Sequence, residues 1–193
     1  MPYGEKFEQA LLYAARLHRD QTRKGTDTPY VTHLLAVAAI AGENGGTEDE
    51  VVAALLHDAP EDRGGEERLE DIRAHFGDAV ADIVAGCTDT YEDPGPPWRA
   101  RKERYLAHLA EAPGALRVSL ADKLDNVRAL ARDYRVQGEE LWRRSGRDRD
   151  DARWYYRALV ERFSVLRPGG LAEELSRAVD ELERRLGPCA SSP

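Results

Sequence analysis

The sequence predicts an all-α fold, a bundle of roughly nine or ten helices in one compact body. Apolar residues recur at helical spacing in several places, as in Leu120, Leu124, Val127 and Ala131 or in Leu171, Leu175, Val179, Leu182 and Leu186. No segment alternates apolar and polar residues for long enough to demand a strand. Glycine- and proline-containing breaks divide the chain at regular intervals.

The first helix carries Phe7, Leu11, Ala14 and His18 at i, i+4, i+7 and i+11, and Lys24 to Pro29 forms a loop after it. Leu34 to Ala41 is an apolar stretch, followed by a turn over Gly42 to Thr47. Thr47 with Glu50 three residues on makes a capping box for the next helix. Val51 to Leu56 is apolar on every side, which requires a buried helix. Arg63-Gly64-Gly65 is a turn, and Gly77 closes a helix before Asp78 opens another. Asp93 to Pro97 reads as a loop, and Ala112-Pro113-Gly114 and Arg167 to Gly170 separate the later helices. One domain is expected over residues 1–186, with a frayed tail over 187–193.

The 193 residues are 41% hydrophobic and 33% charged, the composition of a globular chain able to bury its own core. The net charge of −8 argues against a nucleic-acid partner, whose phosphates favour a basic surface. It leaves room for a small phosphorylated ligand held by a local cluster of cations. Cys87 and Cys189 are far apart and form no disulfide framework. Neither an apolar leader nor a stretch of about 20 apolar residues is present, so a cytoplasmic protein without a membrane partner is expected. Oligomeric state is left open.

The chemistry concentrates where the apolar helix ends, in His57-Asp58-Ala59-Pro60-Glu61-Asp62. Burying charge is expensive unless it is paired or coordinates a metal, so this pattern suggests an interior metal site. Imidazole and carboxylate donors suit Mn²⁺, Fe or Zn²⁺ rather than Ca²⁺. Glu61 and Asp62 lie one turn beyond His57 and Asp58, placed to exchange protons with an activated water. Two further segments look like partners. His33 precedes the Leu34–Ala41 stretch, and Asp122 and Asn126 lie four apart, off the Leu120–Ala131 stripe. His33 alone would be read as a core histidine, and Asp122 alone as part of a solvent face. His18 reads as packed beneath the site, His75 and His108 as surface or helix-end residues. The Arg99–Lys102 run reads as a solvated basic face, with Lys102 the member that could add charge at the site.

The ordered set of motifs resembles the hydrolase domain of RelA/SpoT proteins and the small alarmone hydrolases, including the metazoan SpoT-homologue-like subgroup. The matching stretches are Ala-x-x-His-x-x-Gln-x-Arg-Lys-Gly from Ala15, Pro-Tyr-x-x-His ending at His33, Leu55 to Asp62, His75 to Thr88, and Leu120 to Asn126. The resemblance implies an all-helical HD domain that removes the 3′-pyrophosphate from (p)ppGpp with Mn²⁺. It further implies metal ligation by His33, His57, Asp58 and Asp122, catalytic roles for Glu61 and Asp62, and nucleotide contacts from Arg23, Lys24 and Asn126. Tyr155 would stack or hydrogen-bond at the pocket edge.

Several positions depart from that family's pattern. Leu34 follows His33 where proline is frequent, and Pro60 interrupts the stretch between the ligand pair and Glu61-Asp62. Asp89 stands where lysine is frequent, and Asp151 is acidic one turn before Tyr155. These changes spare the ligands and bear on substrate choice. Three readings follow: an alarmone hydrolase without a synthetase domain, an HD phosphohydrolase acting on another phosphorylated nucleotide such as NADPH, or a catalytically silent nucleotide-binding module.

Overall fold

The computed structural model describes residues 3–89, 96–145 and 148–187. Among them are α1 (Glu5–Leu17), α2 (Val31–Glu43), α3 (Glu48–Leu56), α4 (Ala59–Asp62), α5 (Gly65–Phe76), α6 (Asp78–Cys87), α7 (Trp98–His108), α8 (Leu116–Gln137), α9 (Glu140–Ser145), α10 (Arg149–Leu166) and α11 (Gly170–Leu186). A single 3₁₀ turn, Pro113–Ala115, leads into α8. The described residues form no strand, only an isolated bridge between Thr22 and Pro29. The expected all-α architecture stands.

Helix α3 is the axis of the molecule. Val51 to Leu56 are all buried, and the helix packs on α1, α2, α6 and α8. A helix enclosed on four sides must be apolar all round, which is what its sequence shows. Its start is fixed by the expected capping box. Thr47 Oγ1 accepts from the Glu50 amide, and Glu50 Oε2 accepts from the Thr47 amide at 2.8 Å. Helix α8 packs on α2, α3, α6, α10 and α11, with Leu120, Leu124 and Val127 fully buried. The α11 stripe from Leu171 to Leu186 is buried against α8 and α10.

The breaks differ in detail from the sequence reading. Helix α2 runs through Glu43, so the turn begins at Asn44 rather than Gly42. Gly77, at φ 89°, both closes α5 and caps α6, and Asp78 is already the first residue of α6. A left-handed φ at this junction favours glycine. Gly86 serves a different purpose. A Cβ there would lie 2.7 Å from the Ala115 Cβ and 2.9 Å from the Ala112 Cβ, so α6 approaches the 3₁₀ turn closely. The expected Asp93–Pro97 loop lies outside the described residues except for Pro96 and Pro97, which lead into α7. The expected tail is likewise outside them beyond Gly187.

Candidate metal centre

The end of α3 delivers the first two donors. His57 and Asp58 keep helical backbone angles but leave the regular helix at Leu56. Pro60 has no amide hydrogen to offer the Leu56 carbonyl, so the ladder is cut there. Proline is tolerated in a helix's first turn, and Pro60 falls in the first turn of the short α4. The Asp62 amide then donates to the Asp58 carbonyl at 2.9 Å. Pro60 therefore starts a new turn instead of distorting an old one, and Glu61 and Asp62 emerge one turn beyond the donor pair.

Helix α2 contributes His33 and helix α8 contributes Asp122, both buried. His33 Nε2 lies 3.4 Å from Asp58 Oδ2 and 3.2 Å from Asp122 Oδ1. His57 Nε2 lies 3.0 Å and 3.6 Å from the same two oxygens. Donor atoms of His33, His57 and Asp58 all fall within 4.8 Å of one another. The tautomer of each imidazole is set from behind. His57 Nδ1–H donates to the Ala54 carbonyl at 2.9 Å, and His33 Nδ1–H to Asp125 Oδ2 at 2.7 Å. Both Nε2 lone pairs are thus turned inward. His57 Nε2 is buried without a hydrogen-bond partner. A buried orphan nitrogen facing two carboxylates and a second imidazole fits a divalent cation of the Mn²⁺, Fe or Zn²⁺ type.

Without a cation the cage holds protons. Burial alone would lower the His33 pKa, but hydrogen bonds to Asp122, Asp125 and Asp58 outweigh it and raise it to about 11. His57 is also opposed by burial, and the Asp58 charge leads the effects that raise it to about 10. Burial would raise Asp58 and Asp122, yet the His57 charge holds Asp58, and Lys123 holds Asp122, well below the usual carboxylate range. Metal ions and protons compete for such a site.

The other carboxylates behave oppositely. Burial, followed by the Asp58 charge, raises the pKa of both Glu61 and Asp62. Asp62 Oδ2 accepts from Gln21 Nε2 at 2.6 Å, and Gln21 Oε1 pairs with His18 Nδ1 at 2.8 Å. Asp62 lines a cavity of about 430 Å³ together with His33, Tyr30, Arg23 and Asn126. Glu61 lines a neighbouring cavity of about 490 Å³ with Trp98, Arg101, Lys102 and Asp151. Lys24 lines both.

The sequence-derived residues fall in three places. His33, His57, Asp58 and Asp122 converge. Asp62, Lys24 and Asn126 line the cavity that His33 opens onto, whereas Glu61 lines the neighbouring one. Arg23 reaches the same cavity, but its guanidinium turns inward, donating to Asp125 Oδ2 at 2.7 Å and to Asn126 Oδ1 at 3.0 Å. Tyr155 is buried, its ring 5.7 Å from Trp98 and with Lys102 Nζ 5.3 Å from its centre. His18 is buried and stacks on Tyr30, while His75 and His108 are exposed.

One reading is overturned. Arg101 and Lys102 are not a solvated face, because both line the Glu61 cavity and pair with a buried carboxylate. Asp89 Oδ2 lies 2.7 Å from Lys102 Nζ and 3.4 Å from Arg101. Helical period alone could not report this, since the partner lies 12 and 13 residues back in the chain, outside α7. Arg99 does stay on the exposed side, stacked over Trp154 at 3.3 Å and paired with Asp151 at 2.9 Å.

Four residues received no individual role from the sequence. Tyr30 donates its hydroxyl hydrogen to Asp58 Oδ2 at 2.5 Å, and Lys123 Nζ lies 2.5 Å from Asp122 Oδ2. Gln21 holds Asp62, and Asp125 holds His33. Asp125 was signalled only by its spacing, three residues past Asp122 on one helix.

Known proteins resemble this chain over most of its length. Residues 10–145 match the family model described as HD domain. The human guanosine-3′,5′-bis(diphosphate) 3′-pyrophosphohydrolase MESH1 is 39% identical over 145 residues, covering 69% of this chain and 78% of the human protein. The guanosine-3′,5′-bis(diphosphate) 3′-pyrophosphohydrolase of Aquifex aeolicus is 36% identical over 129 residues, which is 66% of this chain and only 18% of that longer protein. A solved structure of a metazoan SpoT orthologue, described as hydrolysing ppGpp, superposes with a TM-score of 0.72 at 31% identity. That match covers 97% of this chain and 98% of the other. The chain belongs to the HD-domain family.

Proposed function

We propose that this protein is a metal-dependent hydrolase that removes the 3′-pyrophosphate from (p)ppGpp, releasing GDP or GTP and pyrophosphate. The observation that carries the chemistry is the inward-facing His57 Nε2, buried without a hydrogen-bond partner among His33, Asp58 and Asp122. The substrate is supported by the relatives, whose names specify this hydrolysis. We assign the four ligands to one divalent ion and favour Mn²⁺, with Fe and Zn²⁺ compatible with the same donors. A bound ion would act as a Lewis acid and lower the pKa of water toward neutrality.

The chain's own groups do the rest. The reaction adds water across the bond between the 3′-oxygen and phosphorus, so the attacking water loses a proton and the 3′-oxygen gains one. Asp62 and Glu61 stand one turn from the ligands, in separate cavities, and are positioned to move those protons. Their raised pKa values bring them nearer the range in which a carboxylate both accepts and donates. Lys24, lining both cavities, offsets charge on the transferred pyrophosphate. Gln21 holds the Asp62 carboxylate in one orientation. No helix among the described residues is long and apolar enough to cross a membrane, and we place the reaction in the cytoplasm.

Purified protein supplied with Mn²⁺ and ppGpp should yield GDP and pyrophosphate on chromatography. Asp62→Ala and chelator-treated protein should yield neither. A panel including NADPH tests the neighbouring reading, which Asp151 and the Asp89 carboxylate paired with Lys102 favour. Turnover of another nucleotide with ppGpp left intact would transfer the assignment to that substrate.

A further inference from the structure

The arginine at the cavity wall does not face the cavity with its donors. Arg23 Nη1 donates to Asp125 Oδ2 at 2.7 Å, the same oxygen that accepts from His33 Nδ1 at 2.7 Å. Arg23 Nη2 donates to Asn126 Oδ1 at 3.0 Å, and Asn126 Nδ2 in turn donates to Asp122 Oδ1. One guanidinium therefore connects to two of the four candidate ligands by two arms. One arm runs through Asp125 to His33, the other through Asn126 to Asp122.

We infer that Arg23 is a positioning residue of the metal centre, a forked brace that fixes His33 through Asp125 and Asp122 through Asn126. The arrangement rests on the ligand reading above, not on the identity of the substrate. The members of the brace are shielded, with side-chain exposures of 16% for Arg23, 9% for Asp125 and 2% for His33. A planar fork suits this task, because it holds two acceptors at a fixed angle. Lysine at position 23 would offer a single ammonium and could not hold both arms in that geometry. The two histidines are then unequal. His33 is backed by a carboxylate, which raises ligand basicity, whereas His57 is backed by a neutral carbonyl.

The decisive measurement is Mn²⁺ affinity without nucleotide, on metal-stripped full-length protein, for wild type, Arg23→Lys, Asp125→Asn and the double variant. Loss of an outer partner costs about 10–100-fold in metal affinity, and each single variant should weaken Mn²⁺ binding by about that factor. The double variant should lose much less than the product of the two. In Zn²⁺-loaded protein the exchange-protected His33 Nδ1 proton should be visible by NMR and lost in Asp125→Ala, which leaves it no acceptor. Unchanged Mn²⁺ affinity in Asp125→Asn would overturn the brace, even if Arg23→Lys failed to fold. So would intact Mn²⁺ affinity in a folded Arg23→Lys protein. Wild-type protein that binds Mn²⁺ but leaves ppGpp intact would refute the substrate assignment alone.

Discussion

Asp62 shows how function and stability oppose each other at a single residue. Burial and the neighbouring Asp58 charge raise its pKa, so the folded protein holds the ionised form less comfortably than the unfolded chain does. In the metal-free protein the folded state then binds a proton more tightly at this position, and its contribution to stability declines as pH rises through the raised value. Asp62→Asn should abolish turnover, by about 10²-fold or more if it is the proton acceptor. Metal-free Asp62→Asn should melt no lower than wild type at neutral pH, and any gain should disappear at acidic pH where Asp62 is protonated. Parallel melting curves at pH 4 and pH 7 test this. A lower melting temperature at neutral pH would show that the Gln21 hydrogen bond outweighs the crowding of charge.

At the scale of elements, the site depends on where α3 begins and what α6 leans on. Removing the Thr47 hydroxyl leaves the Glu50 amide without its cap, and Thr47→Ala should cost about 1 kcal/mol of stability. Turnover at room temperature should be unchanged, because the ligands leave the other end of the helix. Gly86→Ala should be costlier despite being a gain in helix propensity. Its methyl group would fall inside the contact distance of Ala115 and Ala112, and overpacking of this kind costs about 1–3 kcal/mol. For a chain of this size that lowers the melting temperature by about 2–4 °C per kcal/mol. Thermal unfolding of the two variants beside wild type decides both, and a Gly86→Ala protein as stable as wild type would mean that the 3₁₀ turn yields.

At the scale of the molecule, metal, protons and folding are linked. With the His33 pKa raised to about 11 and that of His57 to about 10, both imidazoles hold protons at neutral pH in the metal-free protein. Their unfolded value is about 6.5. The stabilisation from these raised values is complete below that pH and fades as pH climbs toward 10–11, where the unfolded chain binds fewer protons than the folded one. Metal-free protein should therefore lose thermal stability steadily between about pH 7 and 11. Loading Mn²⁺ near neutral pH should release up to about two protons per ion, because coordination requires neutral imidazoles. Calorimetry in buffers of different ionisation enthalpy would read that number. Zero release would mean that the histidines are neutral before the ion arrives.

Much of this molecule is legible in its sequence alone, and the reasons are local. Helical period and glycine or proline breaks fixed the fold class, because amphipathic stripes must face a core. The apolar run of Val51 to Leu56 ending in His57-Asp58 exposed the centre, because buried charge demands a partner. The capping box at Thr47 and Glu50 needed only four consecutive residues. What the sequence could not supply was decided by side chains meeting across helices. Asp125 and Lys123 became part of the centre only when α8 packed beside α2 and α3. The partners of Arg23, Asp125 and Asn126, are met only across the packed helices. Lys102 read as solvated until Asp89 was found beside it. A residue's type and spacing declare what it can do, but its partner is set by the path of the whole chain, and at charged positions the partner decides the role.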